Sequence, residues 1–144
     1  MRVVGLLRAK GFDIHTIDPS ASVENAAIYM HEHNIGSLVV LREQNRYLGL
    51  VTERDLVAAL AENGAGVAAL TVSSVMQSDS PRCHIADTLE NVMALMTESR
   101  ARHVPVFEDD VLVGVISIGD VVKRRLAELE SEARLVQDYV FFGR

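Results

Sequence analysis

Gly49-Leu50-Val51-Thr52-Glu53-Arg54-Asp55-Leu56 decides how this chain is read, because the chain states it twice: Gly114-Val115-Ile116-Ser117-Ile118-Gly119-Asp120-Val121 has the same form. Each begins as an apolar, β-favouring run and ends where a helical pattern starts. A hydroxyl (Thr52, Ser117) and a carboxylate (Asp55, Asp120) stand three residues apart across that junction.

Working outward, the second half slides back over the first. Glu90-Asn91 falls on Glu24-Asn25, Met96 on Met30, Val104 on Leu38 and Val106 on Val40. After a one-residue deletion in a turn, Gly114, Ser117, Asp120 and Val122 fall on Gly49, Thr52, Asp55 and Val57. Such self-similarity marks a duplicated unit that buries its apolar faces against a second copy. Val23, Ala26, Ala27 and Met30, and likewise Leu89, Val92, Met93 and Met96, mark one helical face in each copy. Ser22 and Thr88 precede these runs as N-caps, and Glu24 and Glu90 suit the helix dipole. Then come the runs Ser37 to Leu41 and His103 to Phe107, short polar turns, and the runs Leu48 to Thr52 and Leu112 to Ser117. With Asp13–Ile17 and Pro81–Ile85 as leading strands, each copy reads strand, helix, strand, strand, helix.

The expected fold is α/β: two pseudo-symmetric β-α-β-β-α repeats packed through their sheets into one globule, with a long C-terminal helix. Residues 1–66 form repeat 1 with an N-terminal lead-in segment, 67–126 repeat 2, and 127–144 a C-terminal helix extension. Glu62-Asn63-Gly64-Ala65-Gly66 breaks the helix between copies, and Thr71 to Met76 reads as a docking segment. Val3, Leu6 and Leu7 lay over Val72, Val75 and Met76, so the lead-in is itself repeated.

The chain has 144 residues, 49% of them hydrophobic, enough for a sizeable core. Its one cysteine, Cys83, has no partner within the chain, which points to a reducing, cytoplasmic setting. The N-terminal apolar run is broken too early for a signal sequence, and no stretch is long and apolar enough to span a membrane. A net charge of −6 and the absence of tryptophan argue against nucleic-acid binding.

At the two junctions, a hydroxyl beside the open N–H groups of a helix start suits phosphate. An ionised carboxylate, an acceptor only, suits a pair of ribose hydroxyls. The competing interpretation is that Thr52 and Ser117 cap their helices while the aspartates complement the dipole. Together with the strands Ile35-Gly36-Ser37-Leu38-Val39-Val40 and Arg102-His103-Val104-Pro105-Val106 and the duplicated order of elements, the motifs resemble a tandem pair of CBS domains, or Bateman module. The resemblance covers nearly the whole chain. It implies a stand-alone regulatory module whose clefts hold an adenine nucleotide, AMP foremost, with ATP, ADP or NAD(H) as alternatives, and which needs no catalytic cofactor. Asp55 and Asp120 would then hold ribose, and Thr52 and Ser117 phosphate or ribose. Each cleft would also draw on the other repeat, Asp55 and Thr52 facing Cys83, Arg102, Val104 and Pro105, and Asp120 and Ser117 facing Thr16, Ile17, Gly36, Ser37 and Leu38. Ile17 and Cys83 are the candidate adenine walls, and Arg54, Arg102, His103 and Lys10 the candidate phosphate cations. The copies differ, since Arg54 is matched by Gly119 and Arg102-His103 by Gly36-Ser37, and the Asp120 cleft is the expected better site.

Other combinations carry less. Cys83-His84 are adjacent on a strand and point to opposite faces, so they make no nucleophile and base. His31 and His33 do not share a helical face, which argues against a metal site. Without a nucleophile, metal cluster or phosphate-cradling loop, no enzymatic activity is expected. Val122, Leu126, Leu129, Ala133, Val136 and Val140 alternate steps of four and three, the stripe of a helix that packs on its own domain or on a partner. A homodimer through CBS packing and this helix is expected, with a separate regulated protein. The rival function is a constitutive dimeric interaction scaffold with no physiological nucleotide.

Overall fold

The computed structural model describes residues 1–142. In chain order the elements are α1 (Val3–Lys10), β1 (Thr16–Ile17), α2 (Val23–His33), β2 (Ser37–Arg42), β3 (Arg46–Thr52), α3 (Glu53–Asn63), α4 (Val72–Val75), β4 (Cys83–His84), α5 (Leu89–Ser99), β5 (His103–Glu108), β6 (Val111–Ser117) and α6 (Ile118–Phe142). They divide into two units. One is Asp13–Arg82; the other joins Met1–Phe12 to the chain from Cys83 onward.

Each unit has a three-stranded sheet in which the short leading strand pairs parallel with the next strand, which pairs antiparallel with the third: β1-β2-β3 and β4-β5-β6. The register slips at equivalent places, between Val40 and Leu41 and between Val106 and Phe107. The two leading strands are shorter than the sequence predicts. Only Thr16–Ile17 and Cys83–His84 pair, the flanking residues adding single bonds such as Val39 N–H to His15 O (2.9 Å). The one-residue deletion lies in the hairpins. Glu43–Asn45 joins β2 to β3, with Gln44 and Asn45 at φ 62° and 59°. Only Asp109 and Asp110, at φ 48° and 36°, join β5 to β6, a two-residue turn whose positive φ values match the strand twist.

The predicted caps form: Ser22 Oγ accepts from Asn25 N–H (3.0 Å) and Thr88 Oγ1 from Asn91 N–H (3.2 Å). Ala26 and Met30 bury the inner face of α2 against Leu38, Val40, Val51 and Val72. Leu89, Val92 and Met96 of α5 do the same against Val104, Val106, Ile116 and Val121.

The two compact units do not coincide with the two sequence repeats. The lead-in segment 1–12, grouped above with repeat 1, completes the other unit: Val3, Leu6 and Leu7 enter the core containing Cys83, Leu89 and Ile116. Residues 67–82, grouped above with repeat 2, complete the first unit through Val72. Both segments dock by the same backbone bonds. Val3 N–H donates to Asp87 O (2.9 Å), Val4 N–H to Ile85 O (3.0 Å) and Leu89 N–H to Met1 O (3.0 Å). Their counterparts are Val72 to Ala21 (2.8 Å), Ser73 to Pro19 (3.0 Å) and Val23 to Leu70 (2.8 Å). Each lead-in helix therefore precedes one repeat and closes the other. The motif glycines make the room. A Cβ on Gly114 would lie 2.9 Å from Leu7 Cδ2, and one on Gly49 would lie 2.2 Å from the Gln77 carbonyl oxygen. The helix α6 runs unbroken through the boundary expected at 126 and 127.

Candidate functional site

Both hydroxyl and carboxylate pairs are organised by their helix starts. Thr52 Oγ1 accepts from Asp55 N–H (3.3 Å), and Asp55 Oδ2 accepts from Thr52 N–H (2.8 Å) and from the Thr52 hydroxyl (3.0 Å). Ser117 Oγ accepts from Asp120 N–H (3.1 Å), and Asp120 Oδ2 from Ser117 N–H (2.8 Å). These reciprocal bonds are capping boxes, so the structural role weighed from sequence is present in both copies. It fixes one oxygen of each carboxylate.

The second oxygens differ. Asp55 Oδ1 accepts from Gln77 Nε2 at 2.7 Å, so both oxygens of Asp55 are engaged. Among the described residues, Asp120 Oδ1 has no hydrogen-bond partner, while its Oδ2 also receives the Lys10 ammonium at 2.6 Å. Lys10 donates in addition to the Val115 carbonyl (2.8 Å). Burial raises the Asp120 pKa, but the Lys10 hydrogen bond, the Ser117 N–H and the Lys10 charge outweigh it, leaving the carboxyl below its ordinary range. Asp120 is thus held ionised, half-buried, beside a cation. Gly119 leaves its flank uncluttered, since only Ser117 Oγ lies within 4 Å of where a Cβ would stand, 3.6 Å away.

Around each junction the start of the preceding strand is adjacent. His103 pairs with Ser117 in the sheet and Ile118 N–H donates to Arg102 O (2.8 Å). Ser37 pairs with Thr52 and Glu53 N–H donates to Gly36 O (3.0 Å). One unit therefore gathers Lys10, Arg102, His103, Ser117 and Asp120, and the other Gly36, Ser37, Thr52, Arg54 and Asp55. Asp55 and the Cys83, Arg102, Val104 and Pro105 expected opposite it belong to different units, as do Asp120 and Thr16, Ile17 and Leu38.

Leu38 and Val104 are wholly buried in the cores of their units, backbone included. Cys83, expected as an adenine wall, is also a core residue; burial, then the charge of Asp87, pushes its thiol up to about 12. Gln77 was missed from sequence because its target, Asp55, lies far along the chain. Missed too was a ring cluster in the Asp13–Arg82 unit. There, His33 stacks on Tyr29 (3.9 Å between centroids) and His15 Nδ1 hydrogen-bonds the Tyr29 hydroxyl (2.9 Å). The spacing of Tyr29 and His33, one helical turn, was the available signal for the stack.

Known proteins share this architecture. A CBS-domain protein from Agrobacterium tumefaciens, ATU1752, superposes with a TM-score of 0.85 at 45% identity, covering 87% of this chain and 99% of that one. The mitochondrial CBS domain-containing protein CBSX3 of Arabidopsis thaliana is 32% identical over 126 residues, 85% of this chain, which spans 61% of that relative's length. A structure of CBSX2 in complex with AMP is similar at 25% identity and a TM-score of 0.71, covering 88% of this chain and 96% of that one. The CBS domain family model matches residues 9–62 and again 72–127. Two sheets of the same topology, two equivalent capping boxes and two family matches place the chain in the CBS-domain family, as a tandem pair.

Proposed function

We propose that the chain is a regulatory module that binds an adenine nucleotide and signals its level to a separate protein, catalysing no reaction itself. AMP is the foremost ligand, with ATP, ADP and NAD(H) as alternatives, and the module acts as a homodimer. The observation that carries this reading is the state of Asp120: an ionised carboxylate with Oδ2 pinned by Ser117 and Lys10, and Oδ1 left to accept. A ribose hydroxyl donates to that oxygen, and the Lys10 ammonium, already 2.6 Å from Oδ2, supplies a positive charge for phosphate. The AMP held by CBSX2 supports the ligand class. Arg102, His103 and Ser117 complete the polar set on this unit. The equivalent carboxylate, Asp55, is spent on Gln77 and Thr52, which makes it the weaker site. For signalling, the nucleotide must prefer one conformation of the protein.

Isothermal titration with AMP tests the reading. The wild type is expected to bind, and Asp120→Ala to bind at least tenfold more weakly while retaining its circular dichroism spectrum. Unchanged affinity in that variant defeats the ribose assignment. A melting temperature that does not move with AMP, ATP or NADH instead favours the constitutive scaffold, because a ligand specific for the folded state must raise it.

A further inference from the structure

The exposed face of α6 is the feature that nucleotide binding leaves unused. The helix meets its own unit through Val121, which is buried, and through Arg124, Arg125 and Glu128, which are partly buried. Those residues lie on one face, recurring at three- and four-residue steps. The stripe Val122, Leu126, Leu129, Ala133, Val136, Val140 is turned away from that face. Its five large members are 45–63% exposed, and Tyr139 beside them is 77% exposed. A 3.5-residue repeat kept over nearly three heptads belongs to a helix that supercoils with another helix.

The flanking charges are complementary to those of a second copy in one direction and not in the other. With Leu126, Ala133 and Val140 at a positions and Val122, Leu129 and Val136 at d, the flanks are Lys123, Glu130 and Gln137 at e and Arg125, Glu132 and Tyr139 at g. In a parallel, in-register pair each g residue meets the e residue five places on in the other chain. Arg125 then meets Glu130 of the partner subunit, twice by symmetry, and Glu132 meets Gln137 of the partner subunit, with no like charges opposed. An antiparallel pair matching the same stripe sets Glu130 against Glu130 of the partner subunit, and Glu132 against Glu132 of the partner subunit. Among the described residues neither Glu130 nor Glu132 has an ion-pair partner within the chain. Arg125 donates to Glu128 through Nη1 (3.0 Å) and keeps further guanidinium donors.

We infer that α6 pairs with α6 of a second copy, parallel and in register, through the Val122–Val140 stripe. The inference rests on the homodimer in the proposed function and is independent of the nucleotide. In a parallel pair Ala133 faces its own counterpart across the axis, within the Cα separation a disulfide bridges. Light scattering coupled to size exclusion, on the full chain, is expected to give a dimer at micromolar concentration. Ala133→Cys should form a covalent dimer on mild oxidation, with the buried Cys83 left unreacted. Leu126→Glu with Leu129→Glu should dissociate the dimer while the circular dichroism spectrum of the fold persists. Glu130→Arg should weaken it roughly tenfold, and adding Arg125→Glu should restore it. A dimer that survives the double glutamate variant and gives no Ala133→Cys crosslink overturns the α6 pairing while leaving the homodimer standing. Tightening by Glu130→Arg overturns the parallel direction. A monomeric wild type, whether or not another protein covers the stripe, overturns both the inference and the homodimer.

Discussion

Gly49→Ala and Gly114→Ala are the same substitution at equivalent positions, yet the structure predicts different costs. At Gly49 the added Cβ would lie 2.2 Å from the Gln77 carbonyl oxygen, a backbone atom that already accepts from Leu50 N–H (3.0 Å). Separating them to an ordinary contact breaks that bond and its companion, Gln77 N–H to Leu50 O (2.7 Å). At about 1 kcal/mol each, less roughly 0.5 kcal/mol gained by restricting the unfolded chain, the net loss is about 2 kcal/mol with residual crowding added. At Gly114 the obstacle is Leu7 Cδ2 at 2.9 Å, the tip of a side chain that turns aside for roughly 1 kcal/mol. After the same offset the net loss is about 0.5 kcal/mol. At about 3–4 °C per kcal/mol for a chain of this size, calorimetry should record a fall of about 6–8 °C for Gly49→Ala and about 2 °C for Gly114→Ala. Equal falls, or a larger one at Gly114, would refute the claim that the first glycine makes way for backbone and the second for a side chain.

Two further outcomes follow from the titrating groups, and one from the caps. With its thiol pushed up to about 12, Cys83 should resist a disulfide reagent at pH 8 and react stoichiometrically only in denaturant; rapid labelling of folded protein would contradict its burial. Asp120 has a folded pKa below its unfolded value of about 3.9, so its contribution is present above that value and lost as pH falls through the folded one. The stability difference between wild type and Asp120→Asn should therefore hold at about 1 kcal/mol from neutrality to near pH 4 and shrink below it; a difference that grows on acidification reverses the sign. Thr52→Ala and Ser117→Ala should each cost about 1 kcal/mol in urea unfolding, additively in the double variant, and a cost near zero would show that the capping boxes contribute nothing.

The repeat was legible because duplicated apolar periodicity and duplicated caps are local signals. Val23 to Met30 and Leu89 to Met96 state the buried helix faces without help from tertiary structure, and even the one-residue deletion marked the hairpin that differs. The lead-in segments were half legible. The match of Val3, Leu6 and Leu7 to Val72, Val75 and Met76 says that both are buried, but an apolar pattern does not say against what. Only the folded chain reveals that each completes the repeat it does not introduce. The leading strands are shorter than their β propensity suggests, because only Thr16 and Ile17 of Asp13–Ile17 find a partner strand. At the site, residue types announced the hydroxyl and carboxylate pairs, whereas the further donors to those carboxylates, Lys10 on Oδ2 of Asp120 and Gln77 on Oδ1 of Asp55, are remote in sequence.

Those remote donors are what separate two motifs that look equivalent. Capping uses one carboxylate oxygen, and a duplicated fold conserves that use in both copies. Ligand chemistry has only the remaining valences to work with, and these are set by whichever donor the lead-in segment brings. Gln77 donates to Oδ1 of Asp55 and adds no charge. Lys10 donates to the oxygen of Asp120 already used by the cap, leaving Oδ1 open and placing an ammonium group beside the carboxylate. The lead-in segments thus give the same motif two different surroundings, Asp55 with both carboxylate oxygens engaged and Asp120 with Oδ1 open, and under the proposed function that difference makes the Asp120 side the better ribose acceptor.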